Sequence, residues 1–112
     1  MLTTTQDNFS NYDVEEIVGI ARGNTVRARH LGKDIMAGFR NMVGGEIYEY
    51  TKMLAEAREQ AFDRMVDDAK GMGADAIVCF RFQTTTIQNA SEVLCYGTAV
   101  KLKNYDGKHH RE

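Results

Sequence analysis

The side chains in this sequence that could bind a soft metal ion are two cysteines and three histidines. None of them stands in a CxxC, HxxxH or HExxH spacing, the patterns by which nearby side chains share a zinc ion. His30 stands alone in a predicted loop, and His109 and His110 lie in a polar C-terminal segment. The sequence therefore predicts no local metal motif, and a site using Cys79 or Cys95 needs donors from distant parts of the chain or from another subunit.

Carboxylates on one predicted helix are the next candidates. Glu49 and Glu56 are seven residues apart, so they share a helix face and could bind a divalent cation in a groove between subunits. A solvated helix face explains the same pattern. Arg58 falls beside the apolar stripe of this helix and needs an acidic partner there, such as Glu46 or Asp75 from its own or a neighbouring subunit. No serine, cysteine or dinucleotide-binding signature can be assembled, so no catalytic residue is predicted.

Six segments with strand or helix patterning must position these side chains. They are an edge strand at 2–5, a strand at 14–26 interrupted near Gly23, a short helix at 33–43 ended by Gly44 and Gly45, a long helix at 46–72, and hairpin strands at 76–86 and 92–103. This order predicts an α+β fold, a two-layer α/β sandwich with one layer of helices on a small antiparallel-rich sheet.

The alternation in the two hairpin strands places small apolar residues on one face of the sheet. Helices can cover only one sheet face, and we expect this one to be left uncovered and to pack against copies of the chain. Its members are Ile77, Cys79, Val93, Cys95, Gly97 and Ala99. An N-terminal segment folded over the same face is the alternative. A turn near Asn89 would separate the two thiols by on the order of 15 Å within one subunit, too far to share a metal ion.

Length and charge restrict the classes of function. A chain of 112 residues fits one domain at 1–104, followed by a polar tail at 105–112. The net charge of −2 argues against binding the phosphate backbone of nucleic acids. No apolar run approaches the roughly 20 residues of a membrane span, and the first residues lack the pattern of a signal peptide. We therefore expect a cytoplasmic protein with reduced cysteines and no membrane partner.

Four segments taken in order resemble a known family. They are FRNMVGGE at 39–46, AREQA at 57–61, GADAIV at 73–78 and GTAVK at 97–101. Together they are similar to the YbjQ-like family of small bacterial and archaeal proteins over about residues 2–103. The resemblance implies a strand-helix-strand-strand subunit of the type also seen in dodecins, assembled as a ring-like pentamer. Cys79 and Phe80 stand where many relatives have a glycine and an aliphatic residue.

The family carries a heavy-metal-binding label that rests mainly on structural comparison. For this chain the label implies a soft or divalent ion held across subunits by Cys79, Cys95, Glu49 and Glu56. The residues expected at the subunit interface are Ile77, Val93, Gly97, Ala99 and Arg58. The sequence thus favours a homo-oligomeric protein that binds a small ligand or heavy metal. The alternatives are a scaffolding oligomer without a ligand and, less favoured, an enzyme with carboxylates in an inter-subunit cleft.

Overall fold

The computed structural model describes residues 1–28, 44–87 and 90–107, with only the backbone described for residue 28 and residues 44–49. Within these ranges the chain forms strand β1 (Leu2–Thr3), strand β2 (Val14–Ala28), helix α1 (Gly44–Gly71), strand β3 (Ala76–Ile87) and strand β4 (Ala90–Leu102). The expected short helix at 33–43 lies outside the described residues. The described part confirms an α+β fold in which one helix packs on a four-stranded sheet.

The sheet has the strand order β1-β3-β4-β2 and is mixed. β1 pairs with β3 in parallel, whereas β4 pairs antiparallel with both β3 and β2. The hairpin predicted from the two alternating segments is confirmed, and its innermost described pair is Ile87 with Ala90. The two outer strands therefore both come from the N-terminal part of the chain, and the hairpin forms the centre of the sheet.

Helix α1 forms because its small and apolar side chains recur at helical spacing. Ala57, Ala61, Met65 and Ala69 are fully buried and form one stripe along the helix. The helix ends at Gly71, and Gly73 just beyond it takes a φ of 78°, a left-handed conformation that glycine adopts without strain. The predicted limits of 46–72 thus differ from the observed ones by two residues or fewer.

The helix runs antiparallel to β2 and extends past it. Arg27 near the end of β2 donates to Gln60 at 3.0 Å, while Gly19 near its start lies beside Met72. At 1.5 Å per residue the helix is about 42 Å long, so its first half extends beyond the end of that strand. The Cα atoms span 57 × 23 × 19 Å. Their radius of gyration is 17.7 Å, whereas a compact chain of this length is expected near 13 Å. The described part of the chain is therefore elongated.

β2 passes without a break through Gly23, where the sequence predicted an interruption. A side chain at Gly23 would collide with the backbone of α1 at Ala61 and Met65, so glycine permits the helix to lie directly on the strand. Helix side chains also bond the outer edge of β2. Asp68 Oδ2 accepts from the backbone N–H of Arg22 at 3.0 Å, and Arg64 donates to the carbonyl of Asn24 at 2.6 Å. The signal at Gly23 therefore marks close packing between the helix and the strand.

The sheet face beneath α1 is the face that the sequence predicted to be uncovered. The buried cluster under the helix contains Ile77, Val93, Cys95 and Ala99 of the sheet. Gly97 is also buried there, and a side chain at this position would come within 2.6 Å of Ile77 Cγ2. The prediction of an interface at Ile77, Val93, Gly97 and Ala99 is therefore wrong. These residues are small because the alanine stripe of the helix packs closely against them.

Among the described residues, a second buried cluster covers the opposite face at the end of the sheet next to β1. This cluster contains Leu2, Phe9, Ala76, Val78, Val100 and Leu102. The rings of Tyr12 and Tyr105 close this cluster with an edge-to-face contact at 5.3 Å between centroids. Residue 105, expected in the polar tail, therefore packs on the domain. The boundary at 104 stays a prediction.

Candidate functional site

Cys95 lies in the middle of β4 with its side chain beneath the helix. It is fully buried, and its Sγ lies 3.5 Å from the Sδ of Met65. Burial raises the pKa of the Cys95 thiol to about 11. Because a metal ligand must be the thiolate, this environment disfavours metal binding at Cys95. Cys95 therefore acts as a small apolar residue of the core.

Cys79 belongs to the opposite side of the sheet. A bulge lies between the pairs Val78–Thr98 and Arg81–Tyr96, and within it Cys79 takes a φ of 59°. The extra residue reverses the alternation, so Cys79 packs with the second buried cluster while Phe80 packs beneath the helix. The prediction that Cys79 and Cys95 share a face is wrong. With the sheet between them, the two thiols of one subunit do not form a metal site.

The predicted acidic and basic helix residues meet in a charged groove, defined here by Arg27, Glu56, Arg58, Glu59, Gln60 and Asp63, with Ala55 at its wall. The groove is open to solvent and has a volume of about 510 Å³. Glu49 lies on the same helix, but its side chain is outside the described part. Three carboxylates and two guanidinium groups line the groove, so it has no single sign of charge. It would suit a zwitterionic ligand better than a simple cation.

Arg58 was expected to have an acidic partner because its place beside the apolar stripe suggested that it is buried. Its side chain is exposed, so water can solvate the guanidinium group and no ion pair is required. Asp75, one of the two suggested partners, has a different role, because its Oδ2 accepts from the backbone N–H of Leu102 at 2.9 Å. The side chain of Glu46 is outside the described part. Whether Arg58 bonds to a neighbouring subunit stays a prediction.

From the middle of the sheet to the ends of β3 and β2, the face away from the helix exposes large apolar side chains. Paired residues share a face, and the register places Ile20, Val26 and Tyr96 together on this one. Their exposed fractions are 58%, 60% and 37%. Ile87 lies on the same face at the end of β3 and is 68% exposed. We call these four residues the open face. The alternation in the sequence groups residues by the sheet face they share. It does not show which of the two faces a helix covers.

The described donors do not fit a metal ion within one subunit. Among residues 1–28, 44–87 and 90–107 there is no group of three or more His, Cys, Asp or Glu side chains placed to hold one. His30, His109 and His110 are outside these ranges. In the same ranges, no helix is both long enough and apolar enough to cross a lipid bilayer.

Comparison with known proteins connects this architecture to a family. A family model described as "Putative heavy-metal-binding", that of the YbjQ-like proteins, matches residues 1–103. A UPF0145 protein from Methanococcus vannielii is 53% identical over 104 residues, covering 92% of this chain and 99% of the relative. A UPF0145 protein from Thermosipho africanus is 50% identical, covering 92% and 96%.

One solved structure shows the same fold. It is a protein of unknown function of the DUF74 family from Pediococcus pentosaceus, with a TM-score of 0.65 and 16% identity. The match covers 92% of this chain and 98% of that one. At this identity the likeness concerns the fold alone, and it agrees with the α+β architecture described above.

Proposed function

We propose that this chain, which belongs to the YbjQ-like family, works in the cytoplasm as a homo-oligomeric binding protein whose copies meet through the open face of the sheet. The observation that carries the proposal is the group of four large apolar side chains exposed on the sheet face away from the helix. Several large apolar side chains exposed on one face of a sheet are typical of protein interfaces. The resemblance to the family favours five copies in a ring.

The elongated shape supports the same conclusion. The part of the helix that extends past the sheet carries apolar side chains that are not fully buried. Met53 and Leu54 lie in this part of α1 and are half-buried. Packing several copies side by side buries such surface in every subunit with one repeated contact. A ring would therefore compensate for the small core of the single chain.

A bound metal or small ligand belongs in this proposal at the junctions between subunits. Within one chain the two thiols lie on opposite sides of the sheet, and Cys95 is held as a neutral thiol. Glu56 is exposed and lines the charged groove, so it is free to meet donors from a neighbouring copy. For the donors in the described part of the chain, the heavy-metal description of the family fits in that shared form and not within one copy.

A scaffolding oligomer without a ligand is the second candidate. The observation that favours it is the absence of grouped metal donors among the described residues. Elemental analysis of untagged protein, followed by titration with cadmium and zinc, separates the two candidates. Stoichiometric binding supports the ligand-binding form, and the absence of binding below about 100 μM leaves the scaffold.

Assembly itself is tested by light scattering and sedimentation of the wild type and of Ile20→Glu. Ile20 is more than half exposed, so the charged variant is expected to fold while its interface is weakened at least about tenfold. Thr51→Glu is the matched control, because it adds the same charge at an exposed position of the helix. A wild type that stays monomeric at high micromolar concentration would overturn the proposal.

A further inference from the structure

The far half of β3, residues 82–87, has an outer edge with no partner strand in the described part of the chain. β1 pairs with β3 only at Ala76 and Ile77. Residues after β1 continue this contact as far as Phe80, whose N–H donates to the carbonyl of Thr4 at 3.3 Å. The Arg81 guanidinium then donates to the carbonyl of Thr5 at 2.8 Å. Beyond this point the described N-terminal segment no longer follows the strand.

The register shows which backbone groups of this segment point outward. Ile87 and Ala90 form the innermost described pair and are separated by only two residues in the sequence, and the residues of such a closing pair bond to each other. In an antiparallel pair, successive residues alternate between bonding the partner strand and pointing away from it. Phe82, Thr84 and Thr86 therefore direct their N–H and carbonyl groups away from β4. The N–H of Phe80 also points outward, to the carbonyl of Thr4, which agrees with this alternation because Phe80 is two residues before Phe82.

This edge lacks the features that normally keep strand edges apart. From Phe82 to Ser91 the sequence contains no charged residue and no proline, and residues 84–87 read TTTI. All of residues 82–87 are exposed. An exposed, uncharged edge of β-branched residues readily pairs with another strand. The opposite edge of the sheet differs, because Asp68 and Arg64 bond the backbone of β2 there.

We propose that the far half of β3 extends the sheet of a second copy of this chain by backbone pairing. This inference rests on the proposed function, since it names how the copies join. The edge adjoins the open face at Ile87, so one neighbouring copy can cover both. Identical copies are favoured as the partner because a repeated contact satisfies the edge of every subunit at once. An uncharged edge also offers no charge pattern by which a foreign partner would be selected.

Hydrogen exchange of the wild type tests the inference. The outward amides of Phe82, Thr84 and Thr86 are expected to exchange rapidly in dilute, dissociated protein and roughly 100-fold more slowly in the assembled protein. The inward amides of Gln83 and Thr85 are bonded to β4 and should be protected in both states. They serve as the internal control.

Thr84→Pro removes one outward N–H while leaving the bonds to β4 in place, because proline is tolerated at the outward positions of an edge strand. We expect it to raise the dissociation constant of the assembly at least about tenfold. Thr84→Val keeps the N–H and a similar shape, and should assemble like the wild type. If Thr84→Pro fails to fold, hydrogen exchange of the outward amides in the wild type tests the strand pairing on its own.

The outcomes separate this inference from the proposed function. Slow outward amides in the assembly, together with weakening by Thr84→Pro alone, support strand pairing. An oligomer whose outward amides stay fast overturns the inference and leaves assembly through the open face intact. Slow outward amides in a monomer mean that another segment of the same chain covers the edge, which also overturns it. A chain that is monomeric throughout defeats both proposals.

Discussion

Replacing Gly23 by alanine adds one methyl group at the point where helix α1 lies directly on strand β2. The added Cβ would overlap the carbonyl oxygen of Ala61 and the backbone nitrogen of Met65, and would lie 2.6 Å from the Cβ of Arg64. Two of these atoms belong to the helix backbone and cannot rotate away. The helix must therefore move off the strand or the strand must bend.

The expected cost follows from these contacts. Overpacking a core costs about 1–3 kcal/mol when side chains can adjust, and a clash with backbone lies at the upper end of that range. A shift of the helix also weakens the bonds of Asp68 and Arg64 to β2, each worth about 1 kcal/mol. The lower entropy of the unfolded alanine chain returns about 0.4–1 kcal/mol. We therefore expect Gly23→Ala to lower the free energy of unfolding by about 3 kcal/mol or more, and the melting temperature by about 12 °C.

Gly19→Ala is the matched control on the same strand. Its Cβ would meet only the flexible end of Met72, with 3.6 Å to Sδ and 4.0 Å to Cε, which are ordinary contacts. This variant should stay within about 0.5 kcal/mol of the wild type. Urea unfolding of all three proteins at one concentration measures the difference. Equal stability of Gly23→Ala and Gly19→Ala would refute the close approach of helix and strand.

Two further predictions concern the thiol and the strand edge. The pKa of Cys95 is higher in the folded chain, at about 11, than the value of 9.0 for a free thiol. The stabilisation from keeping the thiol neutral is thus complete below pH 9 and is lost as the pH rises towards 11. The unfolding free energy of the wild type should fall more steeply across this interval than that of Cys95→Ala, and equal slopes would contradict the buried position. Asp68→Ala removes the acceptor for the backbone N–H of Arg22 and should cost about 1 kcal/mol in urea unfolding, whereas Asp67→Ala, at an exposed position, should cost less than about 0.5 kcal/mol.

The helix and the hairpin strands could be predicted from the sequence because apolar residues recur at different spacings in a helix and in a strand. The helical stripe through Ala57 and Ala61 and the alternation on either side of residues 88–89 predicted α1 and the hairpin. The face assignment failed because alternation shows which residues share a face and not which face is covered. The small residues at Gly97 and Ala99 were interpreted as an uncovered surface. Opposite a stripe of alanines they instead indicate close contact between helix and sheet.

The position of the thiols failed for a second reason, which is local. Strict alternation places Cys79 and Cys95 on one side of the sheet. The bulge at Cys79 and Phe80 adds one residue to β3 and exchanges the faces of everything before it. A cysteine at a φ of 59° gives no sequence signal of its own, since only glycine and asparagine mark such positions with regularity.

The strand order also determines when the chain can fold during synthesis. β1 pairs with β3, more than seventy residues further along, and β2 pairs with β4, the last strand to be made. β1 therefore has no partner strand until β3 leaves the ribosome, and β2 has none until β4 follows. Pairing between distant segments makes folding slow, and a nascent chain with unpaired strands is prone to aggregation. A chain stopped at Ile87 would lack β4, which pairs with all of β2 and with most of β3, so this domain completes its sheet only when its last described strand is made.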